Sequence, residues 1–131
     1  MDCPICHTPM VILEFKHVEI DFCLTCQGCW MDRGELGLLL CGTPDLPGDF
    51  QLTGETKSPR RCPRCFHSMR AGMLPGTTVE VDVCAADGLW LDRGEAQAIV
   101  RQKADSAHGA AFIDFVSSVF VEAKKNREEK T

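Results

Sequence analysis

No stretch of this chain approaches the roughly 18 consecutive apolar residues that a membrane-spanning helix needs. Its apolar residues come in short, dispersed runs. No basic segment with an apolar core precedes the first cysteine pair, so a secretory leader is not expected, and a cytoplasmic, reducing setting is. Basic residues are scarce in the first half: residues 1–50 hold eight acids against Lys16 and Arg33, a balance of −6. Nucleic-acid binding rests on Lys and Arg neutralising phosphates, and this half is not built for it. Also missing is a nucleophile–base pair at any telling spacing, so no enzyme is expected.

What the chain does have is cysteine, nine in 131 residues. Cys3-Pro-Ile-Cys6 and Cys23-Leu-Thr-Cys26 are two Cys-x-x-Cys pairs sixteen residues apart. Four such thiolates suit one tetrahedral metal ion. In a reducing setting paired cysteines more often hold metal than form disulfides, a secreted disulfide scaffold being the competing reading. Zinc is expected, with iron as the rival that four thiolates also hold. A ribbon of about 35 residues has too little apolar surface to fold unaided. Structural zinc supplies roughly 10–16 kcal/mol at neutral pH, so the role of these cysteines is folding itself. Four ligands leave no open position for water or substrate, which argues against a hydrolytic centre.

Between the pairs, Val11, Leu13 and Phe15, then Val18, Ile20 and Phe22, alternate as two short antiparallel strands do. Trp30-Met-Asp-Arg-Gly-Glu35 follows. Its spacing predicts a capping box, with Asp32 at the N-cap, Glu35 at N3, and Met31 and Leu36 as a hydrophobic staple. The helix should run from Arg33 to Cys41, with Gly42 and Pro44 ending it.

The pattern then repeats. Cys62-Pro-Arg-Cys65 lies 59 residues after the first pair, Val79-Glu-Val-Asp-Val-Cys84 lies 61 after its counterpart, and Trp90-Leu-Asp-Arg-Gly-Glu95 lies 60 after its own. Duplication explains this better than chance. A second hairpin should turn at Leu74-Pro75-Gly76, and a second helix should open at Asp92 and run to about Lys103. The second ligand set has Cys62, Cys65 and Cys84 but no fourth cysteine. Asp87 stands three residues after Cys84, and a carboxylate can bind zinc. His67 is the competing ligand, and a lost site is the third possibility. Cys29 and Cys41 read as small buried hydrophobes, His7, His17 and His108 as surface residues, and Trp30 and Trp90 as lids on their own ribbons. Lys57, Arg60, Arg61, Arg64 and Arg70 form the one basic cluster.

Laid out this way, Cys-Pro-x-Cys … Cys-x-x-Cys-x-Gly-x-Trp-x-Asp-x-Gly-Glu resembles the transcription-factor-IIB-type zinc-finger family of small, mostly prokaryotic proteins. Cys3, Cys6, Cys23, Cys26, Gly28, Trp30, Asp32, Gly34 and Glu35 carry the pattern. Cys62, Cys65, Gly88, Trp90, Asp92, Gly94 and Glu95 carry it again, with Ala85-Ala86-Asp87 as the departure. Over residues 1–41 and 62–100 the resemblance implies zinc-ribbon folds and zinc binding. A role in transcription follows only by analogy of name.

Residues 105–131 differ. Phe112, Phe115, Val116, Val119, Phe120 and Ala123 recur at helical spacing as one apolar face, opened by Asp105 or Ser106. The expectation is therefore a small α+β protein: a first ribbon with its helix (1–41), a linker (42–61), a second ribbon with its helix (62–104), and a C-terminal amphipathic helix with a polar tail (105–131). The linker implies separate cores. Two zinc ions per chain are expected at Cys3, Cys6, Cys23 and Cys26 and at Cys62, Cys65, Cys84 and Asp87. The expected function is a non-catalytic interaction module that binds another protein, or its own copy through the C-terminal helix. The alternative is nucleic-acid binding through the second ribbon.

Overall fold

The computed structural model describes residues 1–41 and 52–103 and, beyond them, Ala111, Asp114, Phe115 and Ser118. Its first strands are the hairpin that alternation predicts, β1 (Val11–Phe15) and β2 (Val18–Phe22), paired Val11↔Phe22, Leu13↔Ile20 and Phe15↔Val18. The two-residue turn between them places Lys16 and His17 at φ 48° and 67°. That left-handed pair matches the strand twist, although neither residue is glycine. A third strand, β3 (Cys29–Asp32), lines the far side of β2, and α1 (Glu35–Cys41) follows.

The second repeat copies this with β5 (Ser68–Met73), β6 (Glu80–Cys84), β7 (Gly88–Leu91) and α2 (Glu95–Lys103). Its hairpin turns where expected, Gly76 supplying a φ of 77°. A further strand, β4 (Thr53–Arg61), precedes the repeat and pairs with β5 through two register shifts. Part of the stretch expected as a linker is thus an edge strand. The remainder, residues 42–51, lies outside the described residues, as do the expected stop at Gly42 and Pro44.

The larger correction concerns the cores. β3 and β7 pair with each other, antiparallel, in the register Cys29↔Leu91, Trp30↔Trp90 and Met31↔Leu89. The repeats therefore share one seven-stranded antiparallel sheet, in the order β1-β2-β3-β7-β6-β5-β4. On one face, Val18, Ile20, Phe22, Cys29 and Met31 of the first repeat join Val79, Val81, Val83, Leu89 and Leu91 of the second, packed with Leu36, Ala96 and Ile99 of the helices. On the other face, Trp30 and Trp90 lie fully buried among the cysteines and Met69. The separate cores implied by the sequence are a single core. Strand edges explain this: β3 and β7, alone, would each leave a row of backbone donors and acceptors open, and pairing closes both.

The architecture among the described residues is thus a small, mostly antiparallel sheet with few short helices rather than two independent ribbons in tandem. Each helix also starts later than expected. Gly34 and Gly94 take φ values of 92° and 84°, so the chain turns through Asp32-Arg33-Gly34 and its counterpart before helix begins at Glu35 and Glu95. Of the expected C-terminal face only Phe115 falls among the described residues. It stacks on Phe15, ring centroids 5.0 Å apart, and packs against the shared core. Phe112, Val116, Val119, Phe120 and Ala123 lie outside them, as does His108. No helix among the described residues is long and apolar enough to cross a membrane.

Candidate metal centres

Each Cys-x-x-Cys stretch turns back on itself after a strand or at the chain start. His7 N–H donates to Cys3 O, Gln27 N–H to Cys23 O and Phe66 N–H to Cys62 O, each at 2.9 Å. His7, Gln27 and Phe66 take φ values of 60°, 63° and 64°, an uncommon conformation for residues other than glycine, which the closed knuckle imposes. The same turns aim backbone N–H groups at sulfur. Cys6 N donates to Cys3 Sγ at 3.3 Å, Cys26 N to Cys23 Sγ at 3.5 Å and Arg64 N to Cys62 Sγ at 3.4 Å.

Two groups of ligand atoms result, Cys3, Cys6, Cys23 and Cys26 in one and Cys62, Cys65, Cys84 and Asp87 in the other, with all atoms of a group within 4.8 Å of one another. A tetrahedral zinc ion with Zn–S bonds of about 2.3 Å holds its sulfurs about 3.8 Å apart, and a carboxylate oxygen about 3.5 Å from each sulfur. Cys3 and Cys26 Sγ are 3.7 Å apart, and Cys65 and Cys84 Sγ 3.8 Å. Asp87 Oδ2 lies 3.4 Å from Cys62 Sγ and 3.5 Å from Cys84 Sγ. Both groups fit zinc. His67 stays outside the second group: it is exposed, and its backbone carbonyl accepts from Cys62 N.

The titration of these groups reflects the same geometry. Burial opposes ionisation of Cys23, yet N–H donors from Cys26 and Thr25 draw its thiol down to about 7. Burial pushes Cys62 up to about 12, against donors from Cys65 and Arg64. Hydrogen bonding with Cys65, and then with Cys62 and Cys84, holds Asp87 below the usual carboxylate range. Cys29 is different in kind. It lies in the apolar core, burial pushes it up to about 12, and it stays a thiol.

The Asp-Arg-Gly-Glu turns carry half of the expected capping box. Glu35 accepts from Asp32 N at 2.8 Å, and Glu95 from Asp92 N at 2.7 Å. The aspartates do not cap. Each accepts from its own tryptophan, Trp30 Nε1 to Asp32 at 2.9 Å and Trp90 Nε1 to Asp92 at 3.1 Å. Each also meets an arginine: Asp32 takes both Nε and Nη2 of Arg64, and Asp92 takes Arg60, which bonds Asp82 as well. The indoles are therefore fixed parts of the centres' surroundings, buried in one cluster with the cysteines of both repeats.

Each indole in fact packs on the other repeat. A Cβ at Gly28 would meet Trp90 Cη2 at 2.8 Å, and one at Gly88 would meet Trp30 Cζ2 at 3.0 Å and the Met31 carbonyl. This reciprocal arrangement escaped sequence reasoning. The signal was present, since Gly-x-Trp recurs in both repeats, but only the β3–β7 pairing brings glycine and tryptophan of opposite repeats together.

Two closed four-ligand centres on paired knuckles, carried by one antiparallel sheet, define a zinc-ribbon protein with two zinc sites. The transcription factor zinc-finger family model matches residues 2–40 and 61–102, more than half of the chain, and the protein belongs to that family. No curated protein and no solved structure matches it.

Proposed function

We propose that the protein is a zinc-stabilised, non-catalytic interaction module whose partner is another protein, received at the knuckle end of the sheet. The observation that carries this reading is a groove of about 330 Å³ between the first knuckles of the two repeats, walled by Pro4, Pro59, Pro63 and Phe66. Exposed apolar side chains stand on the knuckles: Phe66 is 67% exposed, Leu24 49% and Ile5 39%. Soluble surfaces concentrate such residues where a partner covers them. The centres supply rigidity to this surface, and a full set of four protein ligands leaves neither centre a position for substrate.

The nucleic-acid alternative has less support. Of its five basic residues, Arg60 is paired with Asp82 and Asp92, Arg64 with Asp32 and Arg70 with Glu55. Among the described residues that leaves Lys57 and Arg61, few for a phosphate backbone. Self-association through the C-terminal helix is the other arrangement of partners. Phe115 is engaged with Phe15, so a dimer of that kind would have to use the rest of the face.

The test is capture from the source cell with the zinc-loaded full chain, beside Phe66→Asp with zinc retained. A protein partner held by the parent and lost by the variant supports the module. Binding to DNA or RNA that falls steeply with added salt, together with no protein captured, supports the alternative.

A further inference from the structure

The two repeats carry the same Asp-Arg-Gly-Glu turn but use it differently. In the first repeat Arg33 N–H donates to Asp87 O at 2.9 Å, and the Arg33 guanidinium donates to Ala85 O at 2.5 Å. Both acceptors belong to the knuckle Cys84-Ala-Ala-Asp87, which carries two ligands of the second centre. The neighbouring Asp32 takes the fork of Arg64, which stands between Cys62 and Cys65 and so belongs to the knuckle carrying the other two. Two adjacent residues of the first repeat thus hold both knuckles of the second centre.

The matching Asp92 pairs instead with Arg60 of β4, and Arg93 is exposed. The position matching Arg64 is Ile5, which has no charge to offer. The asymmetry follows the ligands. The first centre has four thiolates; the second has three and a carboxylate on a knuckle one residue shorter.

We propose that Arg33 and Arg64 are positioning residues for the second metal centre, which is thereby assembled across the repeat boundary. The physical reason is entropic as much as electrostatic. A knuckle whose backbone carbonyls and exposed side chain are already tied to a rigid sheet loses less freedom when its ligands close on an ion. Partners of this outer kind are worth roughly 10–100-fold in metal affinity.

Cadmium-113 substitution tests this, because a Cys₄ centre and a Cys₃-carboxylate centre give separate resonances. Arg33→Ala and Arg64→Ala are each titrated with chelator in the full chain, and the two resonances are followed independently. The expected result is about a tenfold loss of affinity at the second centre and no change at the first. Equal losses at both centres would mean general destabilisation and would overturn the proposal, as would no loss at either. Arg64→Lys separates geometry from charge. It keeps the positive charge but not the two-pronged contact, and should lose affinity as Arg64→Ala does; recovery to the parental value would make charge alone sufficient and overturn positioning.

Discussion

Asp87 occupies the place that Cys26 holds in the first centre, and a carboxylate there is a harder, weaker partner for a closed structural zinc site than a thiolate. Asp87→Cys should tighten zinc at the second centre in chelator competition, and Asp87→Ala should weaken it. His67→Ala should do neither, since that side chain is exposed and outside the ligand group. Asp87 was legible because Cys-x-x-Asp keeps the knuckle spacing. The behaviour of Glu35 and Glu95 was not, because it depends on burial that only the packed helices create. Burial raises both carboxyls to about 7, against the hydrogen bonds they accept from Asp32 and Asp92. A carboxyl raised on folding favours the protonated folded state, so its contribution is fully present below the unfolded value near 4.5 and is lost as pH climbs through about 7. Glu95→Gln keeps an acceptor for Asp92 N without a charge. Its thermal midpoint should therefore change less between pH 6 and 8 than the parent's; equal slopes would rule out Glu95 as the titrating group.

Among the elements, the hairpins were legible because period-two alternation needs no tertiary information, and β2 keeps it in burial, whereas β6 buries Val81, Asp82 and Val83 in succession. β4 was not. Its sequence, Thr-Gly-Glu-Thr-Lys-Ser-Pro-Arg-Arg, is polar and contains Pro59, and it forms a strand only because the exposed edge of β5 accepts it. The helix starts were misplaced for a local reason: Asp32 and Glu35 have capping spacing, but Gly34 breaks the helical run between them. β3 and β7 carry the most consequential contact, and Gly28 is its tightest point. Gly28→Ala drives a methyl group into the Trp90 ring and should destabilise the fold by about 1–3 kcal/mol. Thermal unfolding measures the loss, and tryptophan emission should report a displaced indole. A variant with parental stability and emission would show that the rings are not held as described.

At the scale of the whole molecule, the duplication was legible but its consequence was not. A polar, proline- and glycine-containing interval suggests independence, whereas the strands on either side of it determine coupling. With Met31 and Leu91 in one apolar cluster and Trp30 opposite Trp90, neither ribbon has a core of its own. Cys23→Ser should therefore lower metal affinity at both centres and broaden amide resonances in both repeats, where separate cores would leave the second repeat's spectrum intact. All of this rests on two closed zinc centres in one sheet. The most direct measurement is the metal content of the purified full chain by elemental analysis, with protein concentration from amino-acid analysis. The account predicts two zinc per chain; a single zinc, iron throughout, or no bound metal would contradict it.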